Sequence, residues 1–259
     1  MFRRLPPFGG DQRAVAEVVN NIMDGKTNNT GTVTLATGNA TTTTITDARI
    51  GIDSVILLVP KSAAAIADTA PYGAFQSVVD QTIASTTVAY AMTLDTTDYT
   101  NGVYLSNNSR INVRNAGIYN LQWSGQFENT DSQDHDVNVW LRKNGTDIVG
   151  SNGLIAVPSK HGAINGHIIA GWNYFLELAA NDYIEIYWSA DNTAVSLQFY
   201  AASSSPTKPS TASLITTMQY VAPNAMDNVY ISSQTNGSAV ITHFANSTAS
   251  KTYKYVIVG

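Results

Sequence analysis

The stretch Asp53–Phe75, DSVILLVPKSAAAIADTAPYGAF, contains the strand whose partner decides how the chain folds. Its run Val55–Val59 is purely aliphatic and of strand length, which is typical of a strand buried on both faces. Pro60 ends the strand because proline lacks the N–H group that a sheet requires. Small residues and a turn follow, and then a long stretch of different texture, so the partner of this strand must be found elsewhere in the chain.

We expect that partner at the other end of the sequence. The last segment is rich in threonine, contains the hairpin signal Asn236-Gly237, and ends in the strand Tyr253–Val258. Residues 30–70 and residues 223–259 each offer about three strands, too few for an independent core. We therefore predict that Val55–Val59 pairs with Tyr253–Val258, and that the two segments form one small discontinuous β-sandwich.

The inserted region, residues 71–222, contains short strands with a turn signal roughly every dozen residues, as in a sandwich or jelly roll. In GIYNLQWSGQF, residues 117–127, apolar and polar side chains alternate, so one face is predicted to lie in the core. The core side chains of this strand are Tyr119, Leu121, Trp123 and Phe127. Asn144-Gly145 and Asn181-Asp182 mark two hairpins.

Residues 1–29 combine an extended apolar arm, FRRLPPF, with one amphipathic helix that Asp11 can cap. The arm cannot form a core alone, so we predict that this region docks either onto the body of the protein or onto a neighbouring subunit. The predicted anchor residues are Phe2, Leu5, Phe8, Val15, Val18, Val19 and Ile22. The predicted fold class is all-β, a jelly-roll sandwich inserted into a smaller discontinuous β-sandwich, with one short N-terminal helix.

Composition excludes several classes of function. Charged residues make up 13% of the 259 residues, against roughly 25% in an ordinary soluble domain, and the net charge is −5. A nucleic-acid partner needs clustered lysine and arginine, so none is expected. The absence of cysteine rules out disulfides and thiol chemistry. No apolar run approaches the ~18 residues that cross a bilayer, so no membrane insertion is expected.

The densest polar cluster is DSQDHD, residues 131–136. Its carboxylates, Asp131, Asp134 and Asp136, are the candidates for a divalent-metal loop with oxygen ligands. The cluster lacks the Asp-x-Asp-x-Asp-Gly spacing of a calcium loop, and a solvated turn between two strands is the favoured interpretation. No bound metal or cofactor is therefore predicted.

Catalytic motifs are missing from the sequence. It contains no Gly-x-Ser-x-Gly elbow, no phosphate-binding glycine loop and no dinucleotide fingerprint. Paired carboxylates for glycan hydrolysis can come from any part of a sandwich. The candidates are Glu128, Asp147, Glu177, Asp182 and Glu185, of which Glu177 and Glu185 are expected to face outward. We predict that the protein is not an enzyme.

The aromatic residues permit two interpretations. Trp123, Trp140, Trp172 and Trp188 could form sugar-stacking platforms, but aromatics that alternate along strands more often fill a core or a subunit interface. We favour the second use and predict that Tyr183, Tyr187 and Tyr200 lie at a subunit interface.

Three stretches, NVRNAGIYNLQWSGQF, VWLRKNGTDIVGS and FLELAANDYIEIYWS, resemble in order the globular head of complement-q and tumour necrosis factor-like proteins. That family has a Gly-x-Tyr strand, a Lys-Asn-Gly hairpin and a Leu-x-x-Gly-Asp strand start. The resemblance covers roughly residues 75–222, and Asn181 replaces the glycine that the family prefers before the aspartate. It implies a ten-stranded jelly roll that assembles as a compact homotrimer.

The two ends of the chain resemble those of short bacteriophage structural proteins, in which a TDARI…SVI stretch and a closing Y-x-Y-V-I-x-G tail recur. The expected protein is a non-enzymatic tail-fibre, head-fibre or capsid-decoration component of a virion, attached to other virion proteins through its N-terminal region. The jelly roll would project, and its loops, residues 131–136, 151–166 and 203–210, would face solvent or host. The alternative is a receptor- or glycan-binding module for host attachment.

Overall fold

The computed structural model describes residues 11–24, 28–66, 70–221 and 229–259, and it shows an all-β protein. Two helices lie in these ranges, α1 (Gln12–Met23) and α2 (Ala63–Ile66). The strands are β1 (Thr30–Thr34), β2 (Ala40–Thr46), β3 (Val55–Pro60), β4 (Tyr72–Ser77), β5 (Gln81–Thr82), β6 (Tyr90–Ala91), β7 (Thr96–Asn101), β8 (Val103–Ser106), β9 (Arg110–Val113), β10 (Gly117–Asn129), β11 (His135–Lys143), β12 (Thr146–Asp147), β13 (Gly153–Val157), β14 (Gly166–Leu178), β15 (Tyr183–Ala190), β16 (Val195–Leu197), β17 (Ser203–Ser204), β18 (Thr207–Lys208), β19 (Leu214–Tyr220), β20 (Tyr230–Thr235), β21 (Ser238–Asn246) and β22 (Thr252–Val258).

The described residues divide into two compact units. Of the described residues, the smaller unit contains 11–24, 28–66 and 229–259, and the larger unit contains 70–221. The smaller unit is thus built from both ends of the described chain.

The smaller unit has two three-stranded antiparallel sheets, ordered β1-β22-β3 and β2-β21-β20. The predicted pairing of Val55–Val59 with the last strand is confirmed, because β3 and β22 run antiparallel with Val55 opposite Val258. Side chains of both sheets meet in one core, so the unit is a sandwich. Its buried apolar residues are Leu35, Ile45, Ile50, Ala65, Ala239, Ile241, Tyr253, Tyr255 and Ile257.

The burial of β3 differs from the prediction. Ile56 and Leu58 pack against the core, whereas Val55, Leu57 and Val59 point outward and are each more than half exposed. β3 is also an edge strand, paired on one side only. The prediction of burial on both faces is therefore wrong within one chain, because no second layer of the described chain covers the outer face.

The larger unit packs two seven-stranded sheets face to face, an arrangement compatible with a jelly roll. The β10 sheet contains β4, β5, β7, β10, β14, β16 and β19. The β11 sheet contains β6, β8, β9, β11, β12, β13 and β15. The resemblance implied ten strands; the described part of these sheets has fourteen, of which β5, β6 and β12 are only two residues long.

The core of the larger unit lies between these sheets and contains the side chains that alternation predicts. Tyr119, Leu121, Trp123 and Phe127 of β10 are all buried, as expected. Trp188 of β15 meets Phe127 across the core, with ring centroids 5.9 Å apart. The period-two pattern of β10 is therefore confirmed as a core-facing strand.

The predicted turns are also confirmed. Asn144 and Gly145 connect β11 and β12 with positive φ angles of 51° and 82°. Asn181, between β14 and β15, has a φ of 70°. Because asparagine tolerates the left-handed region better than most residues, it can stand where the resembled family has glycine.

Asp11 caps α1 as predicted, since its Oδ1 accepts a hydrogen bond from the backbone N–H of Ala14 at 2.7 Å. The four-residue helix α2 was not predicted. Ser62 precedes it, and its Oγ accepts from the N–H of Ala65 at 3.2 Å. In the described ranges, neither helix has the length and apolar character needed to span a bilayer.

Candidate functional site

The acidic cluster at residues 131–136 connects neighbouring loops of the larger unit through hydrogen bonds. Nε2 of His135 lies 2.9 Å from Oδ2 of Asp131, and its Nδ1 lies 3.0 Å from Oδ1 of Asp191. Asp134 accepts a hydrogen bond from the backbone N–H of Ser159 at 2.7 Å. These hydrogen bonds, from His135 to Asp131 and from Ser159 to Asp134, hold the pKa of each carboxyl below its usual value.

The three metal candidates do not converge on one point. Asp131 and Asp134 have different partners, and the side chain of Asp136 lies exposed on β11. Within the described ranges, no group of three or more histidine, aspartate or glutamate side chains is placed to hold a metal ion. The observed role of the cluster is to join the β10–β11 loop to the loops that contain Ser159 and Asp191.

Two of the carboxylates considered for catalysis are buried inside hydrogen-bond networks. Glu185 was expected to face solvent but is only 5% exposed, which corrects that prediction. Its Oε1 accepts from the hydroxyl of Ser109 at 2.7 Å and lies 3.5 Å from Nε of Arg110, so β9 and the turn before it cover Glu185. Glu128 accepts from the hydroxyl of Tyr200 at 2.6 Å and from Nδ2 of Asn165 at 3.0 Å.

The three tyrosines predicted at a subunit interface are half-buried, and each has a partner within the chain. The guanidinium of Arg110 lies 4.4 Å from the ring centre of Tyr183, and that of Arg142 lies 3.9 Å from the ring centre of Tyr187. Tyr200 donates to Glu128; burial and this bond raise the pKa of its hydroxyl above the ordinary value. Their interface role stays a prediction.

The anchor residues are partly within the described structure. Phe2, Leu5 and Phe8 lie outside the described residues. On α1, Val18 is half-buried, whereas Val15, Val19 and Ile22 are exposed. The apolar face of this helix is thus largely uncovered, and Met23 extends it with a side chain that is 81% exposed.

The outer surface of the β10 sheet is a broad face without charge at its centre. Residues 118–126 of β10, 169–175 of β14 and 215–221 around β19 contain no aspartate, glutamate, lysine or arginine. Phe175 stands opposite Asn120, and Ile169 opposite Gln126, so they share the face that points away from the core. We call this surface the uncharged face; its large exposed side chains are Ile118, Ile169, Phe175 and Ile215.

A shallow depression lies on the outer surface of the other large sheet, the β11 sheet. It has a volume of about 350 Å³ and is formed by β11, β15, the end of β12 and the chain between β12 and β13. The indole N–H of Trp140 donates to Oδ1 of Asp147 at 2.7 Å, and the same oxygen accepts from Nε of Arg142. The lining residues are Asn138, Trp140, Asp147, Ile148, Gly150, Asn152 and Ser189.

The smaller unit has a larger open groove of about 710 Å³ beside residues 48–54 and the Asn236-Gly237 turn. Its polar groups are largely used within the protein. Nε2 of Gln234 donates to the carbonyls of Gly51 and Ser54 at 2.6 and 2.8 Å, and Oδ1 of Asn236 accepts from the N–H of Ile52. Among the described residues that line this groove none is aromatic, whereas Trp140 lines the depression on the β11 sheet.

Sequence reasoning missed both the uncharged face and the Trp140 depression. The polar alternation of β10 was recognised, but the exposed apolar residues of β14 that share its outer face were not. A signal was present, because Ile169 and Phe175 lie an even number of positions apart and so project from one side of a strand. The depression also needs Ser189, nearly forty positions from the next lining residue in sequence.

No protein-family model matches the chain, and no curated protein shows significant similarity to it.

Proposed function

We propose that the protein is a non-enzymatic structural component of a bacteriophage particle, a homotrimer that projects its jelly roll from the tail or capsid surface. It attaches to other virion proteins through its N-terminal region. The resemblance of the chain ends to short phage structural proteins supports the particle, and the resemblance of residues 75–222 to complement-q and tumour necrosis factor-like heads supports the trimer.

The uncharged face is the observation that carries self-association. Ile169 and Phe175 are each about two-thirds exposed on it, between amide and hydroxyl side chains. Large apolar side chains exposed together on an uncharged surface favour an interaction site over free surface. A second copy of the chain fits because the centre of the face lacks charges that would need solvation or an opposite charge, and Glu177, opposite Ile118, lies at its border. A stable contact of this kind hides about 800 Å² on each partner.

The outer side of β3 supports the same conclusion for the smaller unit. Its exposed residues Val55 and Leu57 stand opposite Val258 and Val256 of β22, and Val59 stands opposite the exposed Lys254 at the border of this surface. An apolar edge strand is prone to uncontrolled pairing unless a neighbour covers it. Closed assembly with other copies removes that hazard.

Attachment through the N-terminal region is supported by α1. Its exposed valines and Ile22 form one apolar side, which an amphipathic helix normally buries. Docking of this side onto another virion protein would bury it and leave the polar side in water.

The assembly is tested by placing a charge on the uncharged face. Phe175→Glu puts a carboxylate where a neighbouring copy would pack, and we expect it to yield single chains in sedimentation velocity with unchanged circular dichroism. Leu154→Glu is the matched control, since Leu154 is equally exposed, at 63%, but lies on the β11 sheet. Equal behaviour of the two variants would contradict the proposed interface.

A second candidate function is recognition of a host-surface molecule. The observation that favours it is the depression beside Trp140, which combines an aromatic ring with several polar groups on an open surface. Adsorption of the purified protein to host cells, and its competition with phage adsorption, would support this function over a purely structural one.

A further inference from the structure

The orientation of Trp140 is fixed before any ligand arrives. Its indole N–H is held by Asp147, and its ring leans on Tyr187, with ring centroids 6.1 Å apart and planes inclined by 39°. Arg142 covers Tyr187 and also binds Asp147, so these four side chains support one another. Fixing the aromatic wall in advance lowers the entropy lost when a ligand packs against it.

The polar groups around this wall are not all used within the protein. Of the two carboxylate oxygens of Asp147, Oδ1 takes both bonds from Trp140 and Arg142, and within the described chain Oδ2 accepts none. Asn152 donates to Asn138 at 2.9 Å. This pair leaves one amide NH₂ group and one amide oxygen without a partner among the described residues, and the hydroxyl of Ser189 is likewise unused.

The unused groups alternate in type. Oδ2 of Asp147 and Oδ1 of Asn152 are acceptors, Nδ2 of Asn138 is a donor, and the hydroxyl of Ser189 can do both. A sugar hydroxyl also donates and accepts at once, so neighbouring hydroxyls of a pyranose ring can satisfy such a set. The ring has an apolar C–H face as well, which suits the flat surface of an indole.

The negative charge in the lining favours neutral saccharides over acidic ones. Among the described residues, Asp147 is the one charged residue that lines the depression, and its bonds to Arg142 and Trp140 hold its pKa below the usual value, so it is ionised at neutral pH. An acidic sugar would be repelled by the free Oδ2, and a phosphate group would find no unpaired lysine or arginine in the lining. The volume, about 350 Å³, is near the lower end for small-molecule sites, roughly 300–1,000 Å³, and fits one or two units of a larger chain.

We propose that the Trp140 depression is a binding site for a neutral saccharide, a hexose or N-acetylhexosamine unit. The ring stacks on Trp140, and its hydroxyls bond to Asp147, Asn138, Asn152 and Ser189. This proposal rests on the second candidate function and gives it a ligand class and a site. A single unit on so shallow a surface binds weakly, with a dissociation constant on the order of 1 mM, and several copies on one particle raise the avidity.

The test uses the full-length protein on an array of immobilised neutral glycans (hexoses and N-acetylhexosamines) and acidic glycans (uronic and sialic acids). We expect wild type to bind neutral glycans, and Trp140→Ala and Asp147→Asn each to weaken that binding about tenfold. Trp140→Phe keeps an aromatic wall and should retain part of the binding. Asn152→Ala removes only an exposed side chain, so a loss of neutral-glycan binding by this variant reports on the site and not on the fold.

Controls on the other sheet separate the site from general surface effects. Tyr99→Ala removes a 67% exposed aromatic, and Asp98→Asn removes an exposed carboxylate, both on β7. These variants should bind within about twofold of wild type.

The outcomes separate a failure of the proposed saccharide site from a failure of host recognition. If neutral glycans bind but the site variants bind equally well, or if only acidic glycans bind, the proposed site is wrong while host recognition stands. If no glycan binds but the protein still adsorbs to host cells, the saccharide proposal is overturned alone. If neither glycans nor cells are bound, host recognition fails with it.

Discussion

At the scale of single residues, Gly31 shows how tightly the smaller unit is packed. A Cβ atom on Gly31 would lie 2.1 Å from Cζ of Tyr255, its cross-strand partner. Tyr255 cannot swing away freely, because its hydroxyl donates to Oδ2 of Asp47 at 2.8 Å. The contact therefore requires glycine for reasons of space.

We predict that Gly31→Ala lowers the free energy of unfolding by about 1–3 kcal/mol, the usual cost of overpacking a core. Urea denaturation followed by circular dichroism measures the change. Gly51→Ala is the control, because the nearest atom to its Cβ is Oγ of Ser54 at 3.3 Å. A loss for Gly31→Ala no larger than for the control would mean that Tyr255 is not held as described.

Asp47 makes the stability of the smaller unit depend on pH. The side chain of Arg49 hydrogen-bonds its carboxylate, and this bond, with those from the Arg49 N–H and Tyr255, holds the pKa of Asp47 well below its usual value. A carboxyl whose folded pKa is depressed stabilises the fold above its unfolded pKa, about 3.9, and loses that contribution as the pH falls towards the folded value.

Asp47→Asn should therefore cost about 1.5–3 kcal/mol of unfolding free energy at pH 7, the range for hydrogen bonds to a charged group. The gap between wild type and variant should narrow by about 1 kcal/mol at pH 3, because wild type has begun to lose the contribution there. Urea titrations of both proteins at the two pH values give the comparison. A gap that stays constant down to pH 3 would show that Asp47 is not ionised preferentially in the fold.

At the scale of elements, the sequence of β3 predicts its partner strand but not the burial of its two faces. The pairing with β22 was predictable, because two apolar runs at the chain ends each lacked a partner nearby. The exposure of Val55, Leu57 and Val59 was not, because an aliphatic run does not show whether its second face is covered by the same chain or by another. The prediction that Glu185 faces outward failed for the same reason, because Ser109 and Arg110, which cover it, come from a distant turn and strand.

Features that depend only on neighbouring residues were predicted correctly. The alternation of β10 and the asparagine turns follow from neighbouring residues alone, and both were predicted. The Trp140 depression depends instead on strand register, which places Ser189 opposite Asn138. Register across distant strands is set by the whole sheet, so this site was beyond sequence reasoning.

The two neighbouring leucines of β3 provide a matched pair of substitutions. Leu58→Lys places a charge against the core and should cost about 2–4 kcal/mol of unfolding free energy. Leu57→Lys, on the 54% exposed outer side, should change the stability of a dissociated chain by no more than about 0.5 kcal/mol while weakening self-association. Denaturation of each variant at low concentration, with sedimentation at high concentration, separates the effects. Equal destabilisation by both would contradict the orientation of β3.

At the scale of the whole molecule, the nested architecture predicts that the smaller unit can do without the insertion. Every strand of its two sheets lies within residues 28–66 and 229–259. We expect a chain in which a short glycine–serine linker replaces residues 71–222 to keep a β-type circular dichroism spectrum and to unfold cooperatively. A non-cooperative or unfolded product would mean that the smaller unit depends on the larger one.

Each folded chain leaves apolar sheet surface exposed, and we propose that further copies of the chain cover it. The uncharged face and the outer side of β3 are two such surfaces, and a charge content of 13% is low for a chain that works alone. Closed assembly explains all of these features together, because surface hidden from water needs no charge.

Sedimentation equilibrium of the purified wild-type chain at micromolar and lower concentrations tests this assembly. We expect a single species with three times the 27.7 kDa of one chain, persisting on dilution. A well-behaved species of 27.7 kDa at every concentration would contradict it.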